Sequence, residues 1–236
     1  SQMADSRVIW GGDLTIEEIR KSPLTARANE ITFADRYSIA VIDSEMYMQE
    51  NYKAKIAESF YNDTYLTDQN ACTSPRIVIW IGNEIERAKE LFWKELKKIV
   101  EAKYNFQPIM SINKLTNSYL VAINQSDIKI EKSEDNLIVR LRVDAITNEL
   151  MNFKGNSGLF FEYDCKEILD IKMLCDNKQC QTIAYLGNKE ELITLLMSGV
   201  KGIDRVVPLG KTMDFDMIWD GYNLFENLTR VISIFI

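Results

Sequence analysis

Cys72 lies in the segment Asp68-Gln69-Asn70-Ala71-Cys72-Thr73-Ser74-Pro75, between a helical pattern and the buried-type strand Arg76-Ile77-Val78-Ile79-Trp80-Ile81. A loop held between rigid elements is where a scaffold presents a reactive group. The thiolate is the nucleophilic form of cysteine and suits covalent acyl transfer. The other reading of Cys72 is a small buried hydrophobe, as most free cysteines are. Against it, Asp68, Gln69, Asn70, Thr73 and Ser74 are too polar for an ordinary core. The chain contains no histidine. That excludes imidazole-activated serine or cysteine chemistry, His-ligated zinc, and the usual switch near neutral pH. A thiol with an unperturbed pKa of about 8.5 must then be activated by backbone dipoles and its surroundings rather than by imidazole.

The elements that position this loop follow from periodicity. Val8-Ile9-Trp10 reads as a strand end closed by Gly11-Gly12, with a helix from about Leu14 and Asp13 as its N-cap. Ile39–Ile42 is a second strand. Residues 50–67 suit a helix carrying Ile56, Phe60 and Leu66, and Phe60, Tyr61 and Tyr65 are either core residues or the wall of an acyl tunnel. Asn83, with Glu86 three residues on, signals the start of a long amphipathic helix with Ile85, Ala88, Leu91, Phe92, Leu96, Ile99 and Val100 on one face. Ile128–Val143 reads as a hairpin turning at residues 133–136. Strands over 158–163, 182–186 and 205–208 alternate with helices over 166–175 and from Asn188 to about Ser198. This order predicts an α/β fold with a mainly parallel sheet flanked by helices. The apolar segment Val231–Ile236 predicts a final strand, paired with a missing part of the protein or with another subunit.

Of the 236 residues, 46% are hydrophobic and 27% charged, with a net charge of −7. Such a length buries roughly 70% of its unfolded surface and needs no disulfide or metal staple. The acidic balance argues against a nucleic-acid partner. Cys72, Cys165, Cys175 and Cys180 show no CxxC spacing and read as free thiols. No apolar run approaches the roughly 20 residues of a membrane span, and no signal-peptide core precedes the first strand. A cytoplasmic protein is expected.

The cysteine segment resembles that of the acyl-CoA reductase family, the fatty-acid reductase components of bacterial bioluminescence and their relatives, within the aldehyde dehydrogenase superfamily. Three further segments agree in order: Val8-Ile9-Trp10-Gly11-Gly12, Ile31-Thr32-Phe33-Ala34-Asp35-Arg36-Tyr37-Ser38, and Val207-Pro208-Leu209-Gly210 with Trp219-Asp220-Gly221-Tyr222. The resemblance implies an aldehyde-dehydrogenase-like catalytic domain in which Cys72 attacks a fatty acyl-CoA or acyl-protein thioester. NADPH then reduces the acyl-cysteine to a fatty aldehyde. It makes Asn70 and Glu30 catalytic candidates beside Cys72. Gly11, Gly12 and Trp10 become cofactor candidates, since glycines let a backbone approach phosphate ahead of a helix N-terminus. An ordinary strand-to-helix turn is the competing reading.

Two departures stand out. The superfamily's Glu-Leu-Gly-Gly general-base segment is here Glu30-Ile31-Thr32-Phe33-Ala34, so Glu30 is either a remnant base or a plain loop charge. Its ribose-binding Glu-Ile-Phe-Gly segment is absent, with Gly155-Asn156-Ser157-Gly158-Leu159-Phe160 in the chain. The expected organisation is the end of a nucleotide-binding domain (1–37), a catalytic domain (38–225) and a C-terminal strand (226–236), together about half of a longer protein. A homo-oligomer and an acyl-transferring protein partner are expected. The rival readings are a short-chain or other aldehyde dehydrogenase, and a non-enzymatic subunit that carries or docks the acyl group.

Overall fold

The computed structural model describes residues 3–125, 128–131, 135–147 and 149–236. The chain forms two compact units, residues 1–36 with 214–236, and residues 37–213.

The first unit opens with β1 (Ser6–Trp10), α1 (Asp13–Arg20) and β2 (Asn29–Phe33). β1 and β2 are parallel neighbours, with Arg7 opposite Glu30 and Trp10 opposite Phe33. Gly12, not Asp13, occupies the cap of α1, and no side-chain capping bond forms there.

The second unit runs β3 (Tyr37–Asp43), α2 (Ser44–Gln49), α3 (Lys53–Thr64), β4 (Pro75–Ile81), α4 (Ile85–Lys103), α5 (Pro108–Asn124), β5 (Ile128–Glu131), β6 (Val139–Val143), β7 (Leu159–Cys165), α6 (Lys172–Asp176), β8 (Cys180–Leu186), α7 (Lys189–Met197) and β9 (Arg205–Pro208). Its sheet has the strand order β5-β6-β7-β4-β3-β8-β9. Every pairing is parallel except β5 with β6, the expected hairpin. Ser133 and Glu134 of the expected turn lie outside the described residues.

Strand alternation sends successive side chains to opposite faces, and both faces are covered. Ile39, Val41, Ile77, Ile79 and Phe161 pack with Val121 of α5 and Leu195 of α7. Ala40, Ile42, Val78, Trp80 and Phe160 pack with Tyr47, Phe60, Phe92 and Leu96 from the helices on the other face. On that second side Glu162 is buried. It accepts from Trp93 Nε1 at 2.7 Å, Trp80 Nε1 at 3.1 Å and Arg140 at 3.0 Å. A buried carboxylate needs such partners, because desolvation alone would be prohibitive.

The chain then returns to the first unit with β10 (Ile218–Trp219), β11 (Tyr222–Asn223) and α8 (Leu224–Leu228). Ile31, Phe33, Trp219 and Leu224 form its small core. Residues 214–225 belong to the same compact unit as the N-terminal segment.

Several local expectations are corrected. α4 starts at Ile85 with Glu84 at the cap. Asn83 instead donates through its side chain to Glu45 Oε1 at 3.0 Å. The helix expected over 50–67 is α3 plus a single 3-10 turn, Tyr65–Thr67, and Leu66 is exposed. The stretch after β7 is a 3-10 turn, Ile168–Ile171, leading into a short α6. Residues 231–236 carry no strand, and Val231, Ile232, Ile234, Phe235 and Ile236 are exposed. Backbone N–H and C=O groups make a strand only where a neighbour pairs with them, and no described strand does so here. No helix among the described residues is long and apolar enough to cross a membrane.

Candidate active site

The cysteine loop is held in an unusual backbone conformation. After the turn Tyr65–Thr67, both Asp68 (φ 51°) and Gln69 (φ 58°) are left-handed, which costs about 1–2 kcal/mol for each non-glycine residue. Hydrogen bonds offset that cost. Gln69 N–H donates to Thr64 O at 2.8 Å and Asp68 N–H to Tyr65 O at 3.1 Å. Tyr104 Oη donates to Asp68 Oδ1 at 2.7 Å.

The Gln69 side chain, 1% exposed, is a three-way clamp. Its Nε2 donates to Pro75 O at 3.0 Å and to Leu159 O at 3.1 Å, and its Oε1 accepts from Gly158 N–H at 3.1 Å. Ser157 N–H also donates to Asp68 O at 2.9 Å, and Asn156 Nδ2 donates to Asn70 Oδ1. Gly158 must be glycine: it has φ +89°, and a Cβ there would lie 2.3 Å from Tyr65 Oη and 2.4 Å from Leu137 O.

Cys72 itself is half-buried. Ser38 Oγ, at the start of β3, donates to Cys72 O at 2.8 Å, and Ser74 N–H donates to Ala71 O at 3.0 Å. Thr73 Oγ1 donates to Met213 Sδ at 3.0 Å. The segment before Met213 is pinned by the fully buried Asp63, which accepts from Gly210 N–H at 2.6 Å, Thr212 N–H at 3.0 Å and Thr212 Oγ1 at 2.9 Å. The remaining cysteines are buried in the core. Burial pushes the Cys165 thiol up to about 12, the state of an inert cysteine.

Lys114 of α5, 2% exposed, ties two loops beside this segment. Its ammonium donates to Ser157 O at 2.8 Å, to Leu137 O at 3.3 Å and to Asn136 O. Burial lowers its pKa to about 8. Phe60, Tyr61 and Tyr65 belong to the packed aromatic core, with Phe60 5.3 Å from Phe160 and Tyr61 stacked on Tyr65 at 5.4 Å.

The other sequence candidates lie in the first unit. Glu30 accepts from Arg20 Nε at 2.8 Å and from Arg7 Nε at 2.8 Å. Its carboxyl is held below the usual range, chiefly by the Arg20 hydrogen bond and then by Arg7, against the opposing effect of burial. A carboxylate committed to two guanidinium groups is a structural ion pair and a poor proton acceptor. Trp10 is exposed, with its ring 4.8 Å from Phe33. Gly11 N–H donates to Phe33 O at 3.1 Å. A Cβ on Gly12 would lie 2.8 Å from Asp35 Oδ2. A carboxylate thus occupies the space over Gly12, which does not suit a phosphate. Among the described residues no cluster of His, Cys, Asp and Glu could hold a metal ion.

The structure therefore brings Cys72 and Asn70 together with residues that carried no role in the sequence reading: Ser38, Gln69, Lys114, Asn156, Ser157 and Gly158. Gln69 and Gly158 are 89 positions apart, and only the parallel pairing of β4 with β7 makes them neighbours.

The architecture is that of an aldehyde dehydrogenase catalytic domain. Aldehyde dehydrogenase 21 from Physcomitrella patens, solved with the reaction product succinate, superposes with a TM-score of 0.62 at 9% identity, covering 89% of this chain and 45% of its own. The indole-3-acetaldehyde dehydrogenase AldA of P. syringae, solved with NAD+, gives 0.62 at 9% identity, covering 92% and 46%. The Delta-pyrroline-5-carboxylate dehydrogenase of Mycobacterium tuberculosis gives 0.57 at 9% identity, covering 85% and 41%. At such identities the likeness is one of fold, and the chain spans about half the length of these structures. The sequence pattern of acyl-CoA reductase (LuxC) matches residues 1–128, and the chain belongs to that family. No curated protein matches the chain.

Proposed function

We propose that residues 37–213 form the acyl-accepting part of a long-chain acyl-CoA or acyl-protein thioester reductase, with Cys72 as nucleophile. The observation that carries this reading is the held, half-buried position of Cys72 on a strained loop, in contrast to three core-buried cysteines. The Cys72 thiolate attacks the thioester carbonyl. A carbon–sulfur bond forms to Cys72, the bond to the carrier sulfur breaks, and the carrier thiolate leaves and takes up a proton. The oxyanion formed on attack needs hydrogen-bond donors, a part we assign to the Cys72 backbone N–H. Asn156 engages the Asn70 side-chain oxygen, which orients the Asn70 amide as a donor.

Reduction to an aldehyde requires a nicotinamide cofactor, which when bound supplies hydride; the resemblance of the cysteine segment implies NADPH, and the AldA structure of similar fold is solved with NAD+. In this reading residues 1–37 end a nucleotide-binding domain. Because Asp35 lies over Gly12, that turn does not fit a phosphate. Glu30 is no base in this scheme, which suits a reductase, since an activated water would hydrolyse the acyl-enzyme. An acyl-transferring partner and a homo-oligomer belong to the same reading.

Incubation with acyl-CoA followed by intact-mass measurement tests it. The expected product is one acyl adduct on the wild-type chain and none on Cys72→Ala. An adduct on Cys72→Ala overturns the assignment. Hydride transfer in the full-length protein separates a reductase from a passive acyl carrier.

A further inference from the structure

A cavity of about 420 Å³ opens between the cysteine loop, the first turns of α5 and the loop that ends at Gly158. Four carboxamide residues, Asn70, Asn113, Asn117 and Asn156, line it. Its volume falls at the low end of ligand sites, roughly 300–1,000 Å³. The chemistry of the wall narrows the occupant. A carboxamide offers two donors and one acceptor. Asn156 Nδ2 already donates to Asn70 Oδ1 and Asn117 Nδ2 to Lys154 O. The donors and acceptors left over, with the whole Asn113 carboxamide, suit a ligand that presents amide N–H and C=O groups of its own. An acyl chain has no use for such a wall, to which Ile109 and Met110 are the aliphatic contributors.

A phosphate is disfavoured on two counts. The Asp68 carboxylate shares the lining. The Lys114 ammonium beside it is committed to the backbone oxygens of Ser157, Leu137 and Asn136. Asn70 is two residues from Cys72, a chain span of at most about 7 Å. Cys72 is not itself part of the lining, and a ligand in the cavity reaches toward it along the Asn70–Cys72 segment.

We propose that this cavity holds the pantetheine arm common to coenzyme A and acyl-carrier-protein thioesters, its two amides against Asn113, Asn117 and Asn156 and its sulfur end toward Cys72. The inference rests on Cys72 being the acyl acceptor, and it adds where the carrier lies and why a thioester of an amide-bearing thiol is the substrate class. Asn113 makes no hydrogen bond to the protein among the described residues, and its carboxamide is exposed to the cavity's solvent.

The test uses S-methylpantetheine, which cannot transfer an acyl group, and a variant, Asn113→Leu with Thr116→Leu, that fills the cavity at two exposed positions. Calorimetric titration is expected to show equal binding to wild type and Cys72→Ala, and at least tenfold weaker binding to the double variant. No binding to wild type, or equal binding to the double variant, overturns the proposal. Acylation kinetics then separate this inference from the nucleophile reading. With acyl-pantetheine the double variant is expected to react at least tenfold more slowly, and with an acyl thioester of a plain alkanethiol at the wild-type rate. If S-methylpantetheine binds as expected but no donor acylates Cys72, the nucleophile reading fails and the cavity assignment stands. If wild type and double variant are acylated alike by both donors, the cavity assignment fails and the nucleophile stands. Repeating the comparison with acyl-CoA and with an acyl carrier protein shows which source the arm comes from: slowing with either supports the proposal, and slowing with neither overturns it.

Discussion

Gly158 N–H donates to the side-chain oxygen of Gln69 at 3.1 Å, joining the loop ahead of β7 to the loop that presents Cys72. The same carboxamide donates to Pro75 O and Leu159 O, so one side chain fixes the start of β4 and the start of β7 together. Replacing it with alanine leaves two carbonyls and one N–H buried without their partner. Each such group costs about 1–3 kcal/mol. Gln69→Ala is therefore expected to lower unfolding stability by on the order of 3 kcal/mol, read from the urea midpoint, and to slow acylation of Cys72 more than it weakens thioester binding. A midpoint within a few tenths of wild type would remove Gln69 from the account.

Gly158→Ala places a methyl group against Tyr65 Oη and Leu137 O in a left-handed backbone. A loss of roughly 2 kcal/mol or more is expected, since strain of 1–3 kcal/mol adds to the steric clash. Adding Tyr65→Phe should recover only part of it, because the backbone carbonyl of Leu137 remains in place. Full recovery by Tyr65→Phe would show that the hydroxyl is the whole obstacle.

These contacts explain what was legible in the sequence. The parallel sheet, the β5–β6 hairpin and the face of α4 could be read because their periodicities are strong. α5 was not read: it buries Lys114, Ser118 and Val121 and exposes Ile109, Ile112, Leu115, Tyr119 and Ile123, the reverse of an ordinary amphipathic pattern. α2 is six residues long and is started by Asp43, which accepts from Met46 N–H, too short for a periodic signal. Cys72 could be singled out because polar residues surround it. The partners that fix it come from β3, α5 and the loop before β7, and those neighbours are set by tertiary pairing.

Glu30 ties the stability of the first unit to pH. Its folded pKa is lowered, so its stabilising contribution is present above the unfolded value, near 4.5, and is lost as pH falls through the lower folded value. Glu30→Gln should unfold at lower urea than wild type at pH 7, and the gap should narrow as pH falls below the ordinary value of 4.5 toward the lowered folded one. Its rate of Cys72 acylation should match wild type. A large fall in acylation with intact stability would restore Glu30 to the catalytic machinery.

Lys114 titrates in the opposite region. Its folded pKa of about 8 lies below the ordinary 10.5, so between these values the unfolded chain binds more protons and stability rises with pH. Wild type minus Lys114→Met, compared by urea midpoint from pH 7 to 9.5, should increase above pH 8. The subtraction cancels the cysteines and tyrosines that titrate in the unfolded chain over this range. A flat difference would show that the ammonium is fully compensated by its carbonyl partners.

Peptide mapping after incubation with acyl-CoA shows whether Cys72 accepts the acyl group. One acyl thioester is expected, on the peptide containing Cys72, released by hydroxylamine and absent in Cys72→Ala. An acyl group found instead on Cys165, Cys175 or Cys180, or no adduct with any thioester donor, would contradict it.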